Sequence, residues 1–233
     1  MNVVSDIAGL PIQVGAALRQ RRLFHPIGVL AHGSIERVAA AGDGLPMPSG
    51  PIVGRVSKAL GTPGALPDAA GLAWRMHVGD RDWDVLLATA GVGAAATIPN
   101  RLLLHPVTSW PQTQYSSLMP LRHAGRLWWI RARLSTDLDS PGLALDTVVD
   151  HIGRGGLSFD VEQACGSGPF QPLARLTLTQ VISTAERPDH DVAFDPVRNS
   201  APGVQLWPDW LRRFRRLAYR RSRTGRHAAA PTR

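Results

Sequence analysis

The sequence predicts an α+β chain, an antiparallel β-barrel or sandwich followed by an amphipathic C-terminal helix. Three observations point there. Short segments of branched, aromatic and alternating apolar residues recur along most of the chain, Gly, Pro and Asp separate nearly all of them, and helical periodicity becomes clear only after Trp207. Many short strands at such spacing form antiparallel sheets that either close or stack.

Taken in order, residues 5–22 have the pattern of a weak leading helix, and Phe24 to Val38 reads as an extended segment in which small residues alternate with larger ones. Met47 to Pro51 is a turn cluster. Candidate strands follow at Ile52 to Val56, Leu72 to Val78, Trp83 to Thr89, Ser116 to Leu121, Arg126 to Leu134, Gly156 to Glu162 and Pro172 to Ile182. Turn residues part them, as at Gly79-Asp80, His123-Ala124-Gly125 and Ser140-Pro141-Gly142. The segment Arg126 to Leu134 sets Leu127 and Trp129 against arginines, which fits a strand with one wet face. From Trp207, the apolar Trp210, Leu211, Phe214, Leu217 and Ala218 recur every three or four residues, and Arg212, Arg213, Arg216 and Arg220 take the other faces. That is an amphipathic helix, bounded by Pro202-Gly203 before it and Gly225 after it.

A length of 233 residues with 44% apolar and 19% charged composition, 23 Gly and 19 Pro, fits one compact, turn-rich domain. The expected division is a lead segment over 1–18, a barrel domain over 19–226 and a basic tail over 227–233. The basic residues are 25 Arg and the single Lys58, against 18 acids. Nine of those arginines and only one acid, Asp209, lie beyond residue 206, so the body is neutral and the excess of +8 sits at the C-terminus. A neutral body argues against wrapping nucleic acid over a broad face. One cysteine, Cys165, excludes an internal disulfide, and the absence of CxxC spacing argues against structural zinc. No signal peptide and no transmembrane helix is expected, and the expected location is the cytoplasm.

Among candidate motifs, Gly91-Val-Gly93-Ala-Ala-Ala96 has the form of a dinucleotide loop. The acidic residue such a loop needs some 20 positions later is missing, since no acid lies between Asp84 and Asp137. A flexible turn is the better reading. Of the eight histidines, most stand beside Gly, Pro or acids with no catalytic company. The exception is His25, in Arg22-Leu-Phe-His25-Pro-Ile-Gly28-Val-Leu-Ala-His-Gly33.

That stretch resembles the R-x-x-H-x-x-G-x-x-x-x-G pattern of the haem-dependent catalase superfamily. Further similarities follow in order: Arg55-Val-Ser57; Asp68-Ala-Ala-Gly71-Leu-Ala-Trp-Arg-Met76; Asp82-Trp83-Asp84-Val-Leu86; Tyr115-Ser-Ser117 with Arg122 and Gly125; Val192-Ala-Phe194-Asp195-Pro196 with Pro202-Gly203; and Arg215-Arg-Leu-Ala-Tyr219. The later ones are closest to the short catalase-related peroxidases. Seven matches in order from Arg22 to Tyr219 carry more weight than any one alone.

The resemblance implies a catalase-like barrel that binds haem b. Tyr219 would be the ligand to iron, and Arg215, one helical turn away, would hold the phenol, whose ordinary pKa is about 10, in its anionic form. His25 would move the peroxide proton and Ser57 would orient its imidazole. Arg22, Arg55 and Arg226 would pair the haem propionates. The family's distal asparagine falls at Thr89 or Ala88, where this chain has no amide. This departure, with the short length, implies weak hydrogen peroxide dismutation and a peroxidase acting on organic hydroperoxides or a fatty-acid hydroperoxide isomerase, with the apolar Val85 to Ile98 stretch as a wall for the substrate tail. The partners implied are a hydroperoxide and an electron donor, with a homo-oligomer compatible and no specific nucleic acid partner. The rival class is a non-enzymatic haem or lipid carrier, or a protein docked on an acidic membrane or nucleic acid by its C-terminal arginines.

Overall fold

A computed structural model describes residues 27–90, 104–111, 113–138, 141–183 and 192–208. The strands are β1 (Ile27–Arg37), β2 (Gly50–Lys58), β3 (Ala70–Val78), β4 (Arg81–Ala88), β5 (Gln114–Ser116), β6 (Leu121–His123), β7 (Arg126–Leu134), β8 (Leu157–Cys165), β9 (Gln171–Val181) and β10 (Val204–Leu206). One helix, α1 (Leu145–Arg154), lies between β7 and β8. All neighbouring strands are antiparallel, in the cyclic order β1, β2, β3, β4, β5, β7, β8, β9 and back to β1. The pairing of β7 with β8 closes the ring into an eight-stranded barrel, which removes the exposed edges a sandwich would leave. Strand β6 continues the β5 side of β7, and β10 pairs outside β6.

Alternation along the strands fills the barrel. Trp74, Trp83, Tyr115, Ile130, Phe159 and Leu178 are all buried in one continuous core. The bulk of these side chains is offset by small residues where strands crowd. At the bulge between His32 and Gly33, a Cβ on Gly33 would collide with the Thr177 carbonyl of β9.

Six of the seven expected strand segments from Ile52 onward match one strand each, and the extended segment from Phe24 contains β1. The exception is Ser116 to Leu121, of which only the ends are strand, Ser116 closing β5 and Leu121 opening β6. Its middle leaves the ladder because the Ser117 N–H donates to the Ile130 carbonyl while the Ser117 hydroxyl accepts from the Ile130 N–H, and because Pro120 has no N–H to give. Helix α1 was not anticipated. It buries Val148 and Ile152, one turn apart, and ends where the N–H groups of Gly155 and Gly156 both donate to the His151 carbonyl. The expected helices over 5–22 and after Trp207, the Gly91 to Ala96 string and both limits of the 19–226 domain lie outside the described residues. Among the described residues, no helix is long and apolar enough to cross a membrane.

Two polar clamps hold irregular segments to the barrel. Arg37 gives all five of its guanidinium N–H groups to the carbonyls of Ala39, Ala40, Asp43, Leu45 and Met47, fixing the β1–β2 connection. The fully buried Asp84 carboxylate accepts from Arg75 Nε and Nη2, from the Asp195 N–H and from Asn199 Nδ2, which pins the segment around 195–199 to the outside of β3 and β4.

Candidate functional site

Residues opposite one another in an antiparallel sheet share a face. In the row Gly28, Ser57, Gly71, Ala88 and Ser116, each residue is the register partner of the next across β1 to β5. The opposite pleat carries the core residues Val56, Leu72 and Leu87, so this row lies on the outer face of the barrel. Its five side chains are absent, a methyl or a hydroxymethyl, and they make a floor spanning four strand gaps, roughly 19 Å. The floor is enclosed, with Ser57 3% and Ser116 1% exposed. The next outer row is Leu30, Arg55, Ala73 and Leu86.

The fit at the β1 end is close. An ideal Cβ on Gly28 would stand 2.7 Å from Ser57 Cβ, 2.9 Å from the Val56 carbonyl oxygen and 3.1 Å from Arg55 Nε. The Arg55 side chain therefore runs toward Gly28, and the guanidinium borders the floor. Ser57 donates a long hydrogen bond of 3.4 Å to the Gly71 carbonyl.

Of the residues singled out in the sequence, Ser57 and Arg55 thus come together with Gly28 on one face. Thr89 does not join them. It sits at the bend after β4, where its hydroxyl accepts from the Ala70 N–H at 3.0 Å and donates to the His105 carbonyl at 2.7 Å, so its only O–H is committed to backbone. The neighbouring Ala88, opposite Gly71, is the β4 residue in the floor. His25, Arg22, Tyr219, Arg215 and Arg226 lie outside the described residues. The strand that carries Gly28 begins at Ile27, opposite Lys58.

The end of the sheet beside Ser57 is built from buried polar groups. Lys58, the chain's only lysine, donates its ammonium to the Gly64 and Leu66 carbonyls, and burial lowers its pKa against the raising effect of Asp68. Asp68 accepts from the Leu60 and Thr62 N–H groups and exchanges backbone hydrogen bonds with Val107. A second bridge joins Ala90 to Leu104, so residues 104–107 are fastened to this end of the floor from both sides. Among the described residues, no cluster of three or more His, Cys, Asp or Glu is placed to hold a metal ion.

The other motif residues act in the scaffold. Asp84 and Asp195 come from separate motif segments and meet in one clamp, Tyr115 is a core residue with its ring edge-on to Phe159, and Gly125 turns the β6–β7 hairpin with a φ of 73°. Sequence reasoning passed over Ser116 as a floor residue and Arg131, which faces it across the β5–β7 ladder. The signal for both was the small-residue row, visible only once register is known.

No protein-family model and no curated protein sequence matches this chain. Its fold is similar to those of solved catalases. Catalase A from Saccharomyces cerevisiae aligns with a TM-score of 0.62 at 11% identity, over 88% of this chain and 61% of that one. A fungal catalase gives 0.61 at 11%, over 90% and 60%, and a bacterial catalase 0.59 at 13%, over 92% and 59%. The fold is catalase-like, and the chain spans about three-fifths of the length of those proteins.

Proposed function

We propose that this chain is a haem-dependent peroxidase acting on organic hydroperoxides, with little or no catalase activity. The observation that carries the reading is the outer floor itself. Gly28, Arg55, Ser57 and Gly71 belong to three of the motif segments, and in a catalase-like barrel they converge on one face. A flat macrocycle with carboxylate edges fits a floor on which a Cβ at Gly28 has no room and at whose border a guanidinium lies.

In this reading Tyr219 ligates the iron, with Arg215 holding the phenolate charge, and Arg22, Arg55 and Arg226 pair the propionates. Bound haem b supplies the redox chemistry that cleaves the O–O bond. The residues around it handle the proton and the substrate. His25 takes the hydroperoxide proton at an imidazole nitrogen and returns it to the departing oxygen, while Ser57 fixes the ring orientation. The commitment of the Thr89 hydroxyl to backbone, and the methyl group of Ala88 beside it, leave the β4 end of the floor without an amide, which favours a substrate held by its hydrocarbon part over hydrogen peroxide.

The test is a visible absorption spectrum of the purified chain after addition of haemin, for wild type and Tyr219→Phe. A tyrosinate-haem spectrum in the wild type that is lost in the variant supports the assignment, whereas a wild-type protein that stays colourless overturns it.

A further inference from the structure

The connection between β2 and β3 is inside out. Its charged stem residues are buried, Lys58 at 2% exposure and Asp68 at 1%, whereas none of residues 60–67 is buried and Leu60 and Leu66 stand 71% and 55% exposed. Polar contacts, not apolar burial, hold this segment down. Lys58 shares the inner pleat of β2 with the core residue Val56, and the segment folds back over the end of that strand. The ammonium thereby donates to the Gly64 carbonyl at 2.9 Å and to the Leu66 carbonyl at 3.1 Å. Between those two, the Ala65 carbonyl accepts from the Leu143 N–H at 3.2 Å. Three consecutive carbonyls are thus tied to the body of the barrel. The segment is also bonded to itself, since the Thr62 hydroxyl lies 3.2 Å from the carbonyls of Leu66 and Pro67 and the Asp68 carboxylate accepts from the Leu60 and Thr62 N–H groups.

We propose that residues 60–67 are a lid over this end of the barrel, latched by Lys58, which opens as a unit while the barrel stays folded. A segment that buries no side chain gives up little hydrophobic free energy when it lifts, and its carbonyls exchange three bonds to the barrel for bonds to water. The bonds through Thr62 and Asp68 are internal to the segment and its stem, so they survive the movement and carry it as one piece. Reclosing depends on the ammonium, which satisfies two of the three carbonyls. Lys58 directly follows Ser57, so the lid stands at the end of the strand that supplies the floor's serine. The inference goes beyond the function proposed above and rests on neither haem nor substrate. Opening uncovers the chain's only lysine, and this gives the test a unique reporter.

The experiment follows two probes on either side of the latch in the full-length protein. Acetylation of Lys58 by N-hydroxysuccinimidyl acetate is read by peptide mass spectrometry, which separates it from the α-amino group, and hydrogen exchange of the Leu143 amide is read by NMR. Both are measured against urea below the unfolding transition. Lys58 and Leu143 should show the same protection, roughly a hundredfold less than global unfolding sets, and neither rate should change with urea. Lys58→Met keeps an apolar chain on the inner pleat and removes the donors. It should speed exchange at Leu143 roughly tenfold and leave the core amide of Val161 at the rate its own global unfolding sets. Rates that rise with urea along the slope of global unfolding would show that the segment opens only with the barrel, and the lid is overturned. Acetylation of Lys58 while Leu143 stays fully protected overturns it too, because the amine then reacts with the segment closed. Unchanged exchange at Leu143 in Lys58→Met removes the latch. The wild-type comparison decides the lid even where the variant does not fold.

Discussion

Gly28 and Ser57 face one another across the first ladder of the barrel so closely that a methyl group on Gly28 would stand 2.7 Å from Ser57 Cβ. The backbone carbonyl of Val56 is 2.9 Å from the same point, so a side chain cannot be accommodated by a rotamer change alone. The requirement for glycine here is one of space on the face of the sheet. That links a motif glycine to the geometry of the candidate site.

Gly28→Ala should therefore destabilise the chain by about 1–3 kcal/mol, the usual cost of overpacking. It should also displace Ser57 and the Arg55 head, and so weaken haem uptake more than Gly50→Ala, where a Cβ would meet nothing within 4 Å. Denaturant midpoints and haemin titration of the two variants check this. Equal behaviour would show that the close approach is tolerated.

The buried Asp84 holds three partners from two distant segments, Arg75 on β3 and Asp195 and Asn199 from beyond residue 192. Asp84→Ala leaves the Arg75 charge and the Asp195 N–H without their acceptor, and the expected loss is about 3–5 kcal/mol. The double variant Asp84→Ala with Arg75→Met should recover part of it, since no charge is then stranded. Urea unfolding of the single and double variants measures the recovery.

Much of the barrel was legible because its strands alternate and its turns carry Gly, Pro or Asp. Where reading failed, the cause was a contact distant in sequence. The break between β5 and β6 depends on Ser117 meeting Ile130 from another strand. Helix α1 packs only two buried residues, so its periodicity is short, and β10 has three residues, too few to show alternation. In the site, residue types at motif spacing pointed to Ser57 and Arg55, and the register brought them to one face. They also pointed to Thr89, but only the hydrogen bonds to Ala70 and His105 reveal how its hydroxyl is used. Ser116 and Arg131 belong to no spacing rule, because they are neighbours through pairing and not through sequence.

Tyr115 makes the alkaline limb of stability testable. Its hydroxyl lies in the buried core, and burial raises its pKa above the ordinary phenol value of 10.0. The contribution is complete below pH 10, where the phenol is neutral in both folded and unfolded chains. Above it the unfolded chain loses the proton while the folded chain retains it, so stability falls as pH rises. Lys58, whose pKa burial lowers, acts in the opposite sense up to about pH 10.5. Tyr115→Phe should leave stability near pH 7 within about 1 kcal/mol of wild type and flatten the decline above pH 10. An unchanged alkaline decline, read from melting temperature against pH, would assign it to other groups.

The missing distal amide offers a restoring experiment at one of two adjacent positions, and the structure distinguishes them. Thr89 uses its hydroxyl to tie Ala70 to residues 104–107, so Thr89→Asn should cost about 1–3 kcal/mol through two lost hydrogen bonds without placing an amide on the floor. Ala88 lies in the floor opposite Gly71, two strands from Ser57, and its methyl group is the point from which an amide would reach over the face. With haem bound, Ala88→Asn should raise oxygen evolution from hydrogen peroxide relative to turnover of cumene hydroperoxide, and Thr89→Asn should not. The ratio of the two rates is the quantity to compare, because it is insensitive to the amount of haem each variant retains. A larger ratio for Thr89→Asn than for Ala88→Asn would show that the bend after β4 turns residue 89 into the site in solution.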